Sequence, residues 1–441
     1  MATIWRLSAL AAMWWAALAA VPVGAEPGGE RWIESWGTAL PLQPPPPPPA
    51  FRPPDAPARP AAPQAALARP PQPASPFVPF PATLHDQTVR MVLRTSVGGD
   101  RFRLEFANAN GAQVVELGAV HAGLAGENGS VAAGSDRAVT FGGKPTLTLQ
   151  PGARVFSDPI DLRLAPLSRV AVSIYLPVAT PATTVDALGL MPAFIAAGDQ
   201  TGAPRLSGPQ AVSSFFWLRG LSVPAADAAA GTIVTLGDSI TEGYATTAGA
   251  NRAWPDLLAQ RLQADPDLAH WGVVNVGISG NRVLRPGVGD AALARFSEDV
   301  LTRPGVKWVL ILEGINDINM AIMPGMPDSE DVTASALIAA FDQLIDRAHL
   351  HGIRVAGGTL LPTKGLPFYS AEGEALRQEL NTWIRTSGRF DRVIDFEAAT
   401  RDPADPLRLR PDFDPGDHVH PNDAGNQAMA DAFDLAWLKS K

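Results

Sequence analysis

From Gly231 to the C-terminus the chain alternates short, almost uninterrupted apolar runs with helical patterns, and this alternation restricts the fold more than any other feature. The runs are "TIVTLG", "GVVNVG", "KWVLILEG", "IRVAGGTLL" and "RVIDFE". A strand with no polar face to turn toward water is buried on both sides, so the runs predict a parallel sheet covered by helices on both faces. One intervening stretch, "SALIAAFDQLIDRAHLHG", sets Leu337, Phe341, Leu344, Ile345 and Ala348 at three- and four-residue spacing, and Gly352 ends it. That is the pattern of an amphipathic helix with a glycine stop. Open parallel sheets bind ligands at the carboxyl ends of their strands, so the residues just past each run are where chemistry is expected.

The preceding region has a different texture. "TVRMVLRTSV", "RFRLEFANA", "RAVTFGG", "TLTLQPGA" and "RVAVSIYLP" are short runs separated by Gly, Asn, Asp and Pro, which predicts an antiparallel, jelly-roll-like sandwich over 84–226. Before it, 26–83 holds a segment beginning "RWIESWGTAL" and then a proline-dense stretch, "PLQPPPPPPAFRPPDAPARPAAPQ", that removes backbone donors and favours extended, unpacked chain. Residues 1–25 read as a secretory signal, with Arg6, an apolar stretch and Val23-Gly24-Ala25 before Glu26. The fourth part, 227–441, is the strand–helix domain. After cleavage at Ala25 no transmembrane anchor is expected, and the location is secreted or periplasmic.

Composition narrows the chemistry. The 441 residues include no cysteine, which excludes disulfides, thiolate metal sites and a cysteine nucleophile. A formal charge of −9 without a Lys/Arg-rich block gives nucleic-acid binding no electrostatic source. Nucleic acid is therefore not an expected partner, and the oligomeric state is left open.

Polar residues gather just past the first three apolar runs. The first run ends in Gly237-Asp238-Ser239, the second in "GISGN" with Gly280, and the third in "GIND" with Asn316. "GDHVHPNDAG" adds Asp417, His418 and His420 ahead of the last helix. Acyl transfer by serine needs a base, a group that orients the base, and donors for the oxyanion. Ser239 fits the nucleophile, His420 the base and Asp417 the orienting carboxylate. The N–H groups of Ser239 and Gly280 and the side-chain amide of Asn316 fit an oxyanion hole. Two other readings stand beside this one: Asp238-Ser239 before a helix is also a helix cap, and Asp417, His418 and His420 have spacing compatible with a metal. No metal is expected, because no further His or acidic cluster completes a site. His349 and His351 close a helix, Arg282 and Arg285 fit a solvated loop or an acidic substrate group, and Tyr244, Phe368 and Tyr369 fit either the core or a substrate wall.

These blocks resemble the SGNH, or GDSL, hydrolase superfamily: "GDSI" at 237–240, Gly280 in "NVGISGN", Asn316 in "GIND", and Asp417 with His420 in "DHVHP". The resemblance runs from Gly231 to the end. It implies a flavodoxin-like three-layer α/β/α fold with a five-stranded parallel sheet, and hydrolysis of carboxylic esters without a cofactor. The G-x-S-x-G elbow of the α/β-hydrolases is missing, since 237–241 read Gly-Asp-Ser-Ile-Thr. "SWGTA", "VTFGG", "VAVSIYLP" and "TLLPTKG" are similar to a secreted, xylan-esterase-like subfamily with a β-rich extension, whereas the proline insert departs from its pattern. The expectation is an exported serine esterase that deacylates a small-molecule or polysaccharide ester such as acetylated xylan. A lipase, arylesterase or lysophospholipase for longer acyl chains is the alternative within enzymes. A carbohydrate-binding envelope protein without turnover is the alternative outside them.

Overall fold

All five apolar runs lie side by side as parallel strands in the computed structural model, which describes residues 30–41, 78–323 and 330–439. The expected signal sequence and nearly all of the proline insert lie outside the described residues. The strands are β1 (Gly231–Gly237), β2 (Trp271–Gly277), β3 (Val306–Leu312), β4 (Arg354–Gly358) and β5 (Arg392–Ile394). Their order is β2-β1-β3-β4-β5, the flavodoxin-like arrangement. Successive crossovers leave β1 in opposite directions, so a crevice opens at its carboxyl end, where Ser239 sits. The helices are α1 (Ser239–Glu242), α2 (Trp254–Ala264), α3 (Ala292–Phe296), α4 (Ile315–Ile322), α5 (Ala334–Leu350), α6 (Ala371–Thr386), α7 (Phe396–Thr400) and α8 (Asp423–Asp431). They make the three-layer α/β/α domain. In α5 the five apolar residues named from spacing are all buried, Thr333 caps the N-terminus, and Gly352 takes a φ of +69°.

Two larger antiparallel sheets and three two-stranded ones form the preceding β-rich region. One has four strands, in the order Trp32–Gly37, Leu218–Pro224, Arg103–Ala107, Arg154–Phe156. The other has six, with Gln87–Arg94 and Arg169–Leu176 at its centre. Val89, Met91, Leu93, Phe102, Leu104, Phe106, Val172 and Leu221 share one apolar core. The strand Trp32–Gly37 was expected in a segment ahead of the sandwich, yet it belongs to it, paired with residues 220–224. Residues almost two hundred positions apart make that pairing, and local pattern carries no record of it.

The same strand joins the two halves. Glu34 N–H donates to Pro304 O at 3.1 Å and to Thr232 Oγ1 at 2.9 Å, and Val273 N–H donates to Ser96 Oγ at 2.9 Å. Strand β2 is an edge of the parallel sheet, and the β-rich region covers it. Gly272 permits the approach, since a Cβ there would run into the Glu34 carbonyl. Beneath lies the ion pair Glu34–Arg303 at 2.8 Å, with both side chains at 0% exposure. Arg303 also donates to Thr38 O at 2.7 Å and Arg219 O at 3.2 Å, so its charge is paired and its other donors are satisfied.

Candidate active site

Strand β1 is buried along its whole length and ends where α1 begins. The two readings of Asp238-Ser239 divide between the two residues. Asp238 is the cap: its carboxylate accepts from Ile240 N–H at 2.9 Å. Ser239 is the first helical residue, and its Oγ lies 2.8 Å from His420 Nε2. Gly243, at φ +105°, stops α1 after one turn.

His420 is held from the loop that precedes α8. Asp417 Oδ1 accepts from the N–H groups of Val419 (3.0 Å) and His420 (2.9 Å), an Asx-type turn that aims Oδ2 at the imidazole. The Oδ2–Nδ1 distance is 2.8 Å. A carboxylate at Nδ1 fixes the proton there, leaving Nε2 as the acceptor of the Ser239 hydroxyl proton. Burial pushes the Asp417 carboxyl up, but the His420 ring contact and the two backbone donors outweigh it and hold it below the ordinary range. The Tyr244 ring packs on the imidazole with centroids 4.4 Å apart. Asn422 caps α8 through Ala424 and Gly425, which anchors the loop just beyond His420.

Gly280 and Asn316 stand on two neighbouring loops. Asn281 N–H donates to Ile278 O at 2.9 Å, closing a turn in which Gly280 takes φ +80°. Asn316, in the first turn of α4, donates one amide hydrogen to Asn281 O at 2.9 Å and so joins the two loops. Its second amide hydrogen, and the N–H groups of Ser239 and Gly280, have no acceptor among the described residues. These are the three donors named from the sequence. Asp317 fastens the loop further, accepting from Val283 N–H (2.8 Å) and Leu284 N–H (3.0 Å).

The metal reading of "DHVH" finds no counterpart among the described residues, where no group of three His, Asp or Glu side chains could hold an ion. His418 instead pairs with Asp414 at 2.5 Å, away from His420. No helix among the described residues is long and apolar enough to cross a membrane.

Residues 235–428 match the model of the GDSL-like lipase/acylhydrolase family. This stretch belongs to that family. The GDSL-like domain is also similar to solved structures. One is an acetylxylan esterase from Geobacillus stearothermophilus, with 23% identity over 48% of this chain and 95% of that one and a TM-score of 0.38. Another is a GDSL-like lipase from Bacteroides thetaiotaomicron, with 20% identity over 47% of this chain and 88% of that one and a TM-score of 0.35. No curated protein matches the chain.

Behind the strand ends of the GDSL-like domain lies a residue that sequence reasoning missed. Buried Arg295 donates to Gly237 O (3.0 Å), Val276 O (2.7 Å) and Asn281 Oδ1 (2.9 Å), and pairs with Asp299 (3.0 Å) and Glu313 (3.3 Å). One guanidinium thus ties the end of β1 to the turn that carries Gly280. The nearby acids Asp238 and Glu313 are also buried; burial pushes Asp238 up to about 6 and Glu313 well above its ordinary value. Arg282 and Arg285 are taken up in contacts to Glu330 and Asp331, so they brace a loop. His349 pairs with Asp391 at 2.9 Å and His351 with Arg347 O at 2.9 Å, both structural.

Proposed function

We propose that the chain is a serine esterase that works through an acyl-enzyme on Ser239. The observation that carries this reading is the unbroken line Ser239 Oγ, His420 Nε2, His420 Nδ1, Asp417 Oδ2, with 2.8 Å at each hydrogen bond. Ser239 Oγ attacks the ester carbonyl while His420 Nε2 takes its proton, and the imidazolium that forms faces the Asp417 carboxylate. The carbonyl oxygen becomes an oxyanion received by the N–H groups of Ser239 and Gly280 and by the free amide hydrogen of Asn316. His420 then gives the proton to the leaving alcohol. Water, deprotonated by the same imidazole, attacks the acyl carbon, and Ser239 leaves with that proton. Every proton taken is returned, so the cycle needs no other reactant.

For the substrate, the sequence resemblance favours an acetylated carbohydrate, met outside the cytoplasm after cleavage at Ala25. Two experiments test this reading. Ser239→Ala assayed on p-nitrophenyl acetate should lose turnover to the background rate, and full retained turnover would sink the mechanism. A chain-length series with acetylated xylan beside it should favour acetyl, and a preference for octanoyl would replace the carbohydrate reading with a lipase one. Mature secreted protein should begin at Glu26.

A further inference from the structure

A second line of contacts reaches the Gly280 turn from the β-rich region. Glu242, the last residue of α1, accepts from the Ser279 backbone N–H at 2.7 Å and from the Ser279 hydroxyl. Glu242 also lines one cavity with Asp186, from the strand Val185–Asp186, and the Asp186 charge acts on the Glu242 carboxyl there. Asp186 is itself pinned by the hydroxyl of Thr38 (2.6 Å) and the N–H of Leu188 (3.0 Å). Thr38 in turn bonds Arg303 through its carbonyl and Arg219 O through its N–H. The line therefore runs from the buried Glu34–Arg303 pair, through Thr38, Asp186 and Glu242, to Ser279, the residue before Gly280.

We propose that Asp186 and Glu242 are positioning residues, a proton-bridged carboxyl pair by which the β-rich region holds the Ser279–Gly280 turn so that the Gly280 N–H meets the oxyanion. The proposal rests on the reading of Ser239 as nucleophile and Gly280 as oxyanion donor. Two buried carboxyls that line one cavity are most stable with one proton shared between them, and ionising both opposes two negative charges. Burial raises both groups, and the charge of Asp186 raises Glu242 further. The pair lines a cavity of about 90 Å³ between the two halves of the chain, large enough for water to reach it and exchange its proton. Arg94 from Gln87–Arg94, Arg252, and Asp256 of α2 line the same cavity, and Asp238 stands at the head of the helix that ends in Glu242.

A merely structural contact would move stability and nothing else. Asp186→Ala, Glu242→Ala, Asp186→Asn and Glu242→Gln, each in the full chain, are assayed on p-nitrophenyl acetate beside wild type and Ser239→Ala. Misplacing an oxyanion donor lowers the rate of the chemical step, so both alanine variants should lose about tenfold or more in kcat with KM little changed. The carboxamides bridge without a titrating proton and should keep kcat near wild type. Wild-type kcat should fall at alkaline pH as the pair ionises, and Asp186→Asn should not show that limb. Alanine variants with wild-type kcat would overturn the proposal. Should the alanine variants fail to fold in a thermal melt, the pH profile of Asp186→Asn decides, and an alkaline limb identical to wild type overturns it. Turnover retained by Ser239→Ala would instead overturn the nucleophile reading on which the proposal rests.

Discussion

Replacing Asp417 with Asn changes one atom of the site and reverses the hydrogen-bonding sense at the imidazole. The asparagine carbonyl can keep the two backbone donors, Val419 N–H and His420 N–H, that now bind Asp417 Oδ1. The amide nitrogen then faces His420 Nδ1 across the 2.8 Å gap. An amide N–H there asks Nδ1 to be an acceptor, which moves the ring proton to Nε2, the atom that must accept from Ser239. The carboxylate also stabilises the imidazolium of the transition state: across 2.8 Å, an effective dielectric of 20 gives on the order of 6 kcal/mol. Asp417 is partly exposed, which reduces that figure. Wrong tautomer and lost charge together predict a kcat lower by about 10³–10⁴, or roughly 4–5.5 kcal/mol of barrier. The neighbouring pair Asp414–His418 supplies a control in the same loop. Steady-state hydrolysis of p-nitrophenyl acetate near neutral pH, with melts to establish folding, should find Asp417→Asn crippled and Asp414→Asn within about threefold of wild type. If Asp417→Asn lies within tenfold of wild type, or Asp414→Asn falls equally far, the assigned role of Asp417 is wrong.

Removing the Asn316 amide with Asn316→Ala should lower kcat by about 10²–10³, the effect of losing one oxyanion donor, and unchanged kcat would remove Asn316 from the hole. Arg303→Met leaves Glu34 buried without its partner. The cost should be about 3 kcal/mol, the low end for a broken buried pair, because burial already raises Glu34 to about 7 despite Arg303 and lets it take up a proton. Differential scanning calorimetry should read a Tm lower by several degrees, and a wild-type Tm would contradict the role of this pair. Burial also lifts Asp186, Asp238 and Asp256 to about 6, above their unfolded values near 4. Each is held as the neutral acid by the folded state, so the stability they contribute is full below about pH 4 and is lost as pH rises through 6. Melts in matched buffers should give a lower Tm at pH 7 than at pH 5, and a rising Tm across that window would contradict the direction of these shifts.

The parallel sheet was legible because its strands have no wet face: "TIVTLG" and "KWVLIL" can be satisfied only between two layers of helices, and each forms a strand there. Ser239 was legible as a candidate but not as a decision, since a cap and a nucleophile look alike in one segment. The structure gives capping to Asp238 and sets Ser239 against His420, 181 residues away. Arg295 left no signal. An arginine four residues before Asp299 in a short helix reads as a solvated ion pair, and its burial depends on which loops close over it. Glu242 was hidden in the same way, because an acid ending a one-turn helix is ordinary until Ser279 and Asp186 arrive from elsewhere. The strand Trp32–Gly37 carried aromatic and alternating residues, yet its pairing with residues 220–224 is a matter of topology alone.

If an acyl group passes through Ser239 Oγ during turnover, a reagent that traps activated serines must stop at that oxygen. The most direct measurement is intact and peptide mass spectrometry after treatment with a fluorophosphonate ester, which reacts with a base-activated serine and stays attached. One adduct per chain is expected on the peptide containing Ser239, with loss of turnover in step with labelling and no adduct in Ser239→Ala or at Ser130, Ser279 or Ser370. Labelling at another serine, or full turnover in a chain carrying the adduct at Ser239, would contradict it.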